Sequence, residues 1–197
     1  MFPFIFLNIK IADNPAKENQ LIERIVNKDE KALSELYDRY AKLSYSIILA
    51  IIKNPKEAEE LLQEVFITVW NKSSLFNLKK GNVYGWLVTI ARNIAIDRIR
   101  SKRFKEHKSL MEGLEFPFES IDTLPLDTLI TEERSVIIKE ALAKIPQEQK
   151  EAIVLTYFEG YSQKEIAELL KLPLGTVKTR IRMGMQKLQT LILSGMK

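Results

Sequence analysis

The residues best suited to chemistry in this sequence lie between Lys171 and Lys187, where five side chains are basic and none is acidic. Arginine and glutamine side chains can form paired hydrogen bonds with base edges, and lysine side chains can bind phosphates. If the segment is helical, its polar side chains project from one side with basic residues on the flanks. We therefore predict a DNA-reading helix whose contacts are Thr176, Lys178, Thr179, Arg180, Arg182, Met183, Gln186 and Lys187.

Two short helices joined by a tight turn are predicted to present these side chains. Ser162 and Glu165 have the spacing of a capping box, which begins a helix that ends at Lys171. The turn that follows holds Pro173, which cannot continue that helix, and Gly175, which tolerates unusual backbone angles. The next helix is predicted to begin at Thr176, and it has an apolar side predicted to face a core, formed by Val177, Ile181, Gly184, Met185 and Leu188. This pattern is typical of a helix-turn-helix, and the alternative is a solvated basic helix in an ordinary bundle.

The N-terminal half carries two further candidate surfaces, which have opposite charge. Residues 91–108 hold seven basic and two acidic residues on a predicted helix, which could contact a nucleic-acid backbone. Residues 56–70 are instead predicted to form a helix with an acidic face, which would repel DNA. That face is either a protein-binding surface or an ordinary solvated face, and its carboxylates are Glu57, Glu59, Glu60 and Glu64.

Helical periodicity predicts the elements that carry these surfaces, because apolar residues recur at helical spacing in three stripes. The first stripe ends at Asn54-Pro55 and holds Leu33, Leu36, Tyr37, Tyr40, Ile47, Ile48 and Ile51. The second holds Ala58, Leu61, Leu62, Val65, Phe66 and Val69. The third holds Trp86, Ile90, Ile94 and Ile99, so we expect Trp86 to pack in the core. Residues 71–85 lack periodicity and are predicted to form an ordered loop.

The chain is therefore predicted to be all-α, with two small helical domains joined by an acidic linker. Residues 109–133 contain seven acidic residues and no basic residue. Helical spacing then resumes and ends at Pro146, with an apolar stripe of Val136, Ile137, Ala141, Leu142 and Ile145. A further helix covers Gln147 to Phe158. We assign residues 1–16 to an extension predicted to be disordered, 17–105 to the first domain, 106–131 to the linker and 132–197 to the second domain.

Composition excludes most catalytic and metal-binding chemistry. The chain has no cysteine and a single histidine, His107, which leaves no disulfide and no thiolate or histidine-cluster metal site. Neither a nucleophile-base pair nor a phosphate-cradling glycine loop is visible, so we expect no enzyme and no cofactor. The apolar start lacks the basic region and cleavage site of a signal peptide, and no stretch approaches the about 18 apolar residues of a membrane span. We expect a cytoplasmic protein that does not insert into a membrane.

Three segments of the sequence resemble one known family. The strings EAEELLQEVFITVW, GWLVTIARNIAIDRIR and IPQEQKEAIVLTYFEGYSQKEIAELLKLPLGTVKTRIRMGMQKL look like regions two and four of extracytoplasmic-function (ECF) sigma factors, which belong to the sigma-70 family. The likeness covers nearly everything from Glu30 to Leu188, in the family's order. It implies a non-catalytic subunit that binds core RNA polymerase and directs promoter-specific transcription initiation.

The resemblance also implies a role for each surface. The acidic helix would dock on the clamp helices of the largest polymerase subunit through Glu57, Glu60, Leu61, Gln63, Glu64 and Phe66. The loop and the basic helix would bind the −10 element and capture a flipped base through Phe76, Asn77, Lys79, Lys80, Asn93, Arg98, Arg100 and Arg103. Stacking and base-edge hydrogen bonds would offset the free energy lost when the base leaves its stack. The second domain would read the −35 element and contact the polymerase flap.

Two features depart from the family's pattern. Met183 stands where the family commonly has an arginine. The phosphate or guanine contact that this arginine would make is therefore not expected here. The domain that larger sigma factors carry between regions two and four is absent, which leaves an acidic linker that either runs through the polymerase cleft or is a solvated tether. The family usually has an anti-sigma partner, often membrane-anchored. The alternative to the family is a dimeric helix-turn-helix repressor or activator, which would need a ligand-sensing or dimerisation domain in its N-terminal half.

Overall fold

The computed structural model describes residues 15–77, 81–107 and 140–195, and all regular structure in these ranges is helical. The all-α prediction is therefore confirmed. The helices are α1 (Pro15–Val26), α2 (Glu30–Ile52), α3 (Pro55–Lys72), α4 (Val83–His107), α5 (Gln147–Tyr157), α6 (Gln163–Leu169) and α7 (Leu174–Gly195), with a 3-10 turn at Ser73–Leu75. Of the predicted extension, only Pro15 and Ala16 are described, and they already belong to α1; of the predicted linker, only residues 106–107 are described, and they end α4.

The chain divides into two compact units, Met1–Ala95 and Ile96–Lys197. The boundary falls inside α4, so the first half of this helix belongs to one unit and the second half to the other. Each unit buries its own set of apolar side chains.

The corner between α2 and α3 shows how the sequence reverses the chain in the first unit. Lys53 adopts a left-handed conformation with φ of 57° and donates its backbone N–H to the carbonyl of Leu49. The side chain of Asn54 then accepts a hydrogen bond from the backbone N–H of Glu57, and Pro55 occupies the first turn, where its missing N–H costs nothing. This corner lets α3 pack on α2.

The apolar stripe predicted for α3 is confirmed, since all six of its members are buried. In the stripe predicted for α2, Leu36, Tyr40, Ile48 and Ile51 are buried and Leu33 and Ile47 are half-buried, but Tyr37 is 43% exposed. The ring of Tyr37 instead covers that of Phe66, at a centroid distance of 4.7 Å.

The stripe predicted for α4 is wrong. Trp86, Ile90, Ile94 and Ile99 are only half-buried, and the buried side chains of this helix are Val83, Tyr84, Leu87, Val88, Ala91, Ala95 and Ile96. The predicted loop is also shorter than expected, because α3 continues to Lys72 and α4 begins at Val83.

The second unit packs α5 and α6 against α7. Its largest fully buried side chains are Ile153, Ile166, Ile181 and Leu188. The predicted burial of Ala141, Leu142 and Ile145 just before Pro146 is confirmed. Val136 and Ile137, predicted to belong to the same stripe, lie outside the described residues.

Candidate nucleic-acid interface

The helix-turn-helix predicted from the sequence is formed by α6 and α7. At the start of α6, the hydroxyl of Ser162 accepts a hydrogen bond from the backbone N–H of Glu165, and the Glu165 carboxylate accepts one from the backbone N–H of Ser162. This reciprocal pair is the predicted capping box. It satisfies two backbone donors that the helix cannot satisfy internally, and so fixes where α6 begins.

The turn between α6 and α7 differs from the prediction in one respect. The left-handed residue is Lys171, with φ of 52°, whereas Gly175 has no positive φ and lies inside the first turn of α7. Pro173 precedes α7, and its carbonyl accepts hydrogen bonds from the backbone N–H groups of Thr176 and Val177. The chain therefore turns at Lys171, two residues before Pro173. Helix α7 begins at Leu174, two residues earlier than predicted.

Helix α7 has the two faces that its sequence predicts. Val177, Ile181 and Leu188 are fully buried, and Gly184 and Met185 are buried beside them. The exposed side holds Lys178, Thr179, Arg182, Met183, Gln186 and Lys187, while Thr176 and Arg180 are half-buried at its edges. Seven of the eight predicted DNA-contacting residues are thus polar or basic, and Met183 is the exception.

Gly184 permits the close packing that orients α7. A Cβ atom at this position would lie 2.7 Å from Cδ1 of Ile153 and 3.0 Å from Cβ of Gln149, both on α5. Such distances are far inside van der Waals contact. Only glycine allows α7 to cross α5 this closely, and the crossing sets which side of α7 is exposed.

Two hydrogen-bonding side chains on α7 are already engaged. The guanidinium of Arg180 forms an ion pair with the carboxylate of Glu148 on α5, at 3.1 Å. The hydroxyl of Thr179 donates to the carbonyl of Gly175 in its own helix, at 2.9 Å. Of the predicted contacts, Arg182 and Gln186 are exposed and carry planar groups that can pair with a base edge.

The residues predicted to capture a flipped base in the first unit are distributed over the loop and α4. The rings of Phe76 and Trp86 are in contact, with a centroid distance of 5.1 Å, and both are half-buried. Asn77 and Asn93 are exposed. Lys79 and Lys80 lie outside the described residues. The neighbouring Leu75, which the sequence analysis missed, is 75% exposed.

The predicted basic contacts on α4 lie beyond Asn93, in the part of the helix that belongs to the second unit. Arg98 is half-buried and Arg100 is exposed. The Arg100 Nε donates to the carbonyl of Gly160 at 2.9 Å, so one N–H of its guanidinium group is already engaged. Arg103 lies in the helix, but its side chain is outside the described residues.

The acidic surface lies on one side of α3. Glu60, Gln63 and Glu64 are exposed and Glu57 is half-buried, whereas Leu61 and Phe66 lie in the core, at 0% and 5% exposure. All six residues were expected to contact a partner directly, but only the four that reach the surface can do so. Ile67, one turn beyond Gln63 and Glu64, is 59% exposed and adds an apolar side chain that the sequence analysis missed. Its position outside the buried stripe was the signal that could have found it.

No group of side chains able to hold a metal ion occurs in the part of the chain that the structure describes. Across residues 15–77, 81–107 and 140–195, no helix is long and apolar enough to cross a membrane.

Comparison with known proteins adds to this geometry. Two family models match the chain: Sigma-70 region 2 matches residues 36–105, and Sigma-70, region 4 matches residues 135–188. The ECF RNA polymerase sigma factor SigW of Bacillus subtilis is 32% identical over 174 residues, which cover 85% of this chain and 92% of SigW. The ECF RNA polymerase sigma factor RpoE of Cereibacter sphaeroides is 31% identical over 163 residues, which cover 83% of this chain and 87% of RpoE.

A solved structure is also similar. The crystal structure of Rhodobacter sphaeroides SigE in complex with the anti-sigma ChrR aligns with a TM-score of 0.44 and 29% sequence identity. The alignment covers 90% of this chain and 99% of that one.

Proposed function

This chain belongs to the ECF sigma factors of the sigma-70 family, and we propose that its two domains read different promoter elements. As a member of that family it binds core RNA polymerase and promoter DNA and directs promoter-specific transcription initiation. It is an initiation subunit and not a catalytic enzyme. We assign residues 17–105 to core polymerase and the −10 element, residues 132–197 to the −35 element, and residues 106–131 to the linker between them.

The −35 element is read by α7 in this proposal. The observation that carries it is the exposed face of α7, where polar and basic side chains project from a helix whose opposite face is buried. A recognition helix of this kind lies in the major groove with its N-terminal residues nearest the base edges. Arg182 supplies the base contact, and Lys178 and Lys187 bind phosphates on either side. Arg180 is steadied by Glu148 and contributes charge at the edge.

The −10 element is bound by the loop before α4 and by α4 itself. The Phe76 ring, backed by Trp86, offers a flat surface on which an unstacked base can stack. The amide of Asn93 has both a donor and an acceptor for a base edge. The remaining proposed contacts are Asn77, Lys79, Lys80, Arg98, Arg100 and Arg103.

Core polymerase is bound by the exposed side of α3. Glu57, Glu60, Gln63 and Glu64 face the clamp helices of the largest subunit, while Leu61 and Phe66 hold α3 in the core beneath them. The second domain contacts the polymerase flap. The location that suits these partners is the cytoplasm, and family membership favours an anti-sigma factor as a further partner, one that can itself be membrane-anchored.

The test is a promoter library selected with polymerase reconstituted from core enzyme and the wild-type chain, Arg182→Ala, Lys178→Ala or Asn93→Ala. Arg182→Ala should relax the preference at one −35 position, with a loss of about 1–3 kcal/mol if the contact is bidentate. Asn93→Ala should relax it at one −10 position. Lys178→Ala should weaken binding evenly across sequences and reduce its dependence on salt. Sequence-blind losses from Arg182→Ala, or an unchanged −10 preference in Asn93→Ala, would contradict these assignments.

A further inference from the structure

The recognition face of α7 contains an apolar strip among its polar side chains. Met183 is 46% exposed, although it is the only large apolar side chain on a face otherwise made of lysine, arginine, threonine and glutamine. Thr179 lies four residues earlier, so the two side chains are neighbours on the same side of the helix. Both are exposed.

Thr179 presents its methyl group to a partner more readily than its hydroxyl proton. The hydroxyl donates to the carbonyl of Gly175 at 2.9 Å, which uses its one proton inside the helix. A threonine held in this way cannot donate to a base without breaking that bond. Its methyl group and the thioether chain of Met183 are then exposed apolar groups one helical turn apart, on the side of α7 that also carries Arg182.

The major groove has one apolar group to match this surface. Thymine carries a methyl group at C5 that projects into the groove, and the other three bases lack it. Covering a methyl group with an apolar side chain removes apolar surface of both groups from water, which favours contact with this strip. Met183 is also long and flexible enough to adjust to the position of the methyl group.

We propose that Thr179 and Met183 read the C5 methyl groups of one or two thymines in the −35 element, next to the base that Arg182 contacts. This rests on the proposed function of α7 and specifies which bases that helix prefers. A promoter of this protein should therefore carry an A·T pair at the position that Met183 reaches. The pair should be oriented so that the thymine methyl group lies against the Met183 side chain.

The experiment replaces thymine by deoxyuridine, which removes only the C5 methyl group. The −35 element selected by wild-type holoenzyme is synthesised with one substitution at a time, and holoenzyme affinity is measured at fixed salt. One or two substitutions should weaken binding about fourfold each, the equilibrium effect of leaving one methyl group unburied.

Paired variants separate the methyl contact from other roles. Thr179→Val keeps the methyl group and removes the hydroxyl, so it should keep the sensitivity to deoxyuridine, whereas Thr179→Ser and Met183→Ala should each lose it at one position. Gln189→Ala, at an exposed position seven residues beyond Arg182 and so farther from the N-terminal part of α7, is the control and should keep the wild-type sensitivity to deoxyuridine.

Two results would overturn the proposal in different ways. If the wild type selects a −35 element but tolerates deoxyuridine everywhere, or if the sensitivity survives in both Thr179→Ser and Met183→Ala, the methyl contact is refuted and the −35 role of α7 stands. If the wild-type holoenzyme selects no −35 sequence at all, the proposed function itself fails.

Discussion

Tyr40 joins two helices of the first unit through a buried hydrogen bond. Its hydroxyl donates to Oε1 of Glu18, which is 3% exposed, and Oε2 of Glu18 has no hydrogen-bond partner among the described residues. Tyr40→Phe would leave the whole carboxylate unpartnered in the core. We expect the free energy of unfolding to fall by about 1–3 kcal/mol, measured by urea denaturation. Tyr45→Phe, at a half-buried tyrosine of the same helix, is the control and should change it little.

The same pair makes stability depend on alkaline pH. Burial, with the hydrogen bond to Glu18 as the second cause, raises the pKa of Tyr40 well above its ordinary value of 10.0. A raised pKa in the folded state means that the stabilisation is complete below the ordinary value and declines as the pH rises beyond it. Wild-type stability should therefore fall more steeply above pH 10 than that of Tyr40→Phe. Parallel slopes would show that this tyrosine titrates normally.

Gly184 is expected to tolerate a side chain poorly, because an added Cβ atom would lie 2.7 Å from Cδ1 of Ile153, which is itself buried. Gly184→Ala should lower the stability of the second unit by about 1–3 kcal/mol through overpacking and reduce −35 binding. Gly175→Ala in the same helix is a matched control, since nothing lies within 4 Å of a Cβ atom there. Equal thermal stability of the two variants would show that α5 can yield.

At the scale of the element, α3 illustrates how one helix serves the core and a partner at once. Charge reversal of Glu60 and Glu64 to lysine should abolish binding to core polymerase, since both carboxylates are exposed on the proposed docking side. Helicity and melting temperature should stay near wild type, because surface substitutions seldom change stability by more than about 0.5 kcal/mol. Glu23→Lys with Glu168→Lys changes the net charge equally at exposed sites elsewhere and should bind core enzyme normally. If the α3 variant binds core polymerase as tightly as wild type does, the assignment of α3 to polymerase docking is wrong.

The elements also show what the sequence could and could not predict. The buried side of α3 was predictable because its apolar residues alternate with glutamates and one glutamine at helical spacing. In α4 most of the first nine residues are apolar, so spacing alone favours no side, and the side that is buried in the structure carries Val83, Leu87 and Ala91. The capping box was predictable because it involves only residues close together in the sequence. The left-handed conformation of Lys171 depends instead on the direction that the chain must take between α6 and α7.

At the scale of the whole molecule, charge is divided unevenly along the chain. Since the chain carries +4 overall and residues 109–133 carry −7, the remainder carries +11. That excess favours binding to the DNA backbone, while the acidic segment disfavours it. A sigma factor must bind both polymerase and DNA, and a segment of opposite sign suits the surfaces of polymerase that normally hold nucleic acid.

We therefore expect the acidic segment to contribute to polymerase binding through its charge. The variant replaces Glu112, Glu115, Glu119, Asp122 and Asp127 by the corresponding amides at constant length. Its affinity for core polymerase should fall, and the yield of short abortive transcripts should change. The reason is that the polymerase surfaces that normally hold nucleic acid would lose the negative charges of the acidic segment. The difference from wild type should shrink as salt is raised, since screening weakens the attraction. Exchanging glutamate and aspartate at the same five positions keeps the charge and should preserve wild-type behaviour. If the amide variant initiates like wild type at low salt, the segment acts only as a spacer between the two domains.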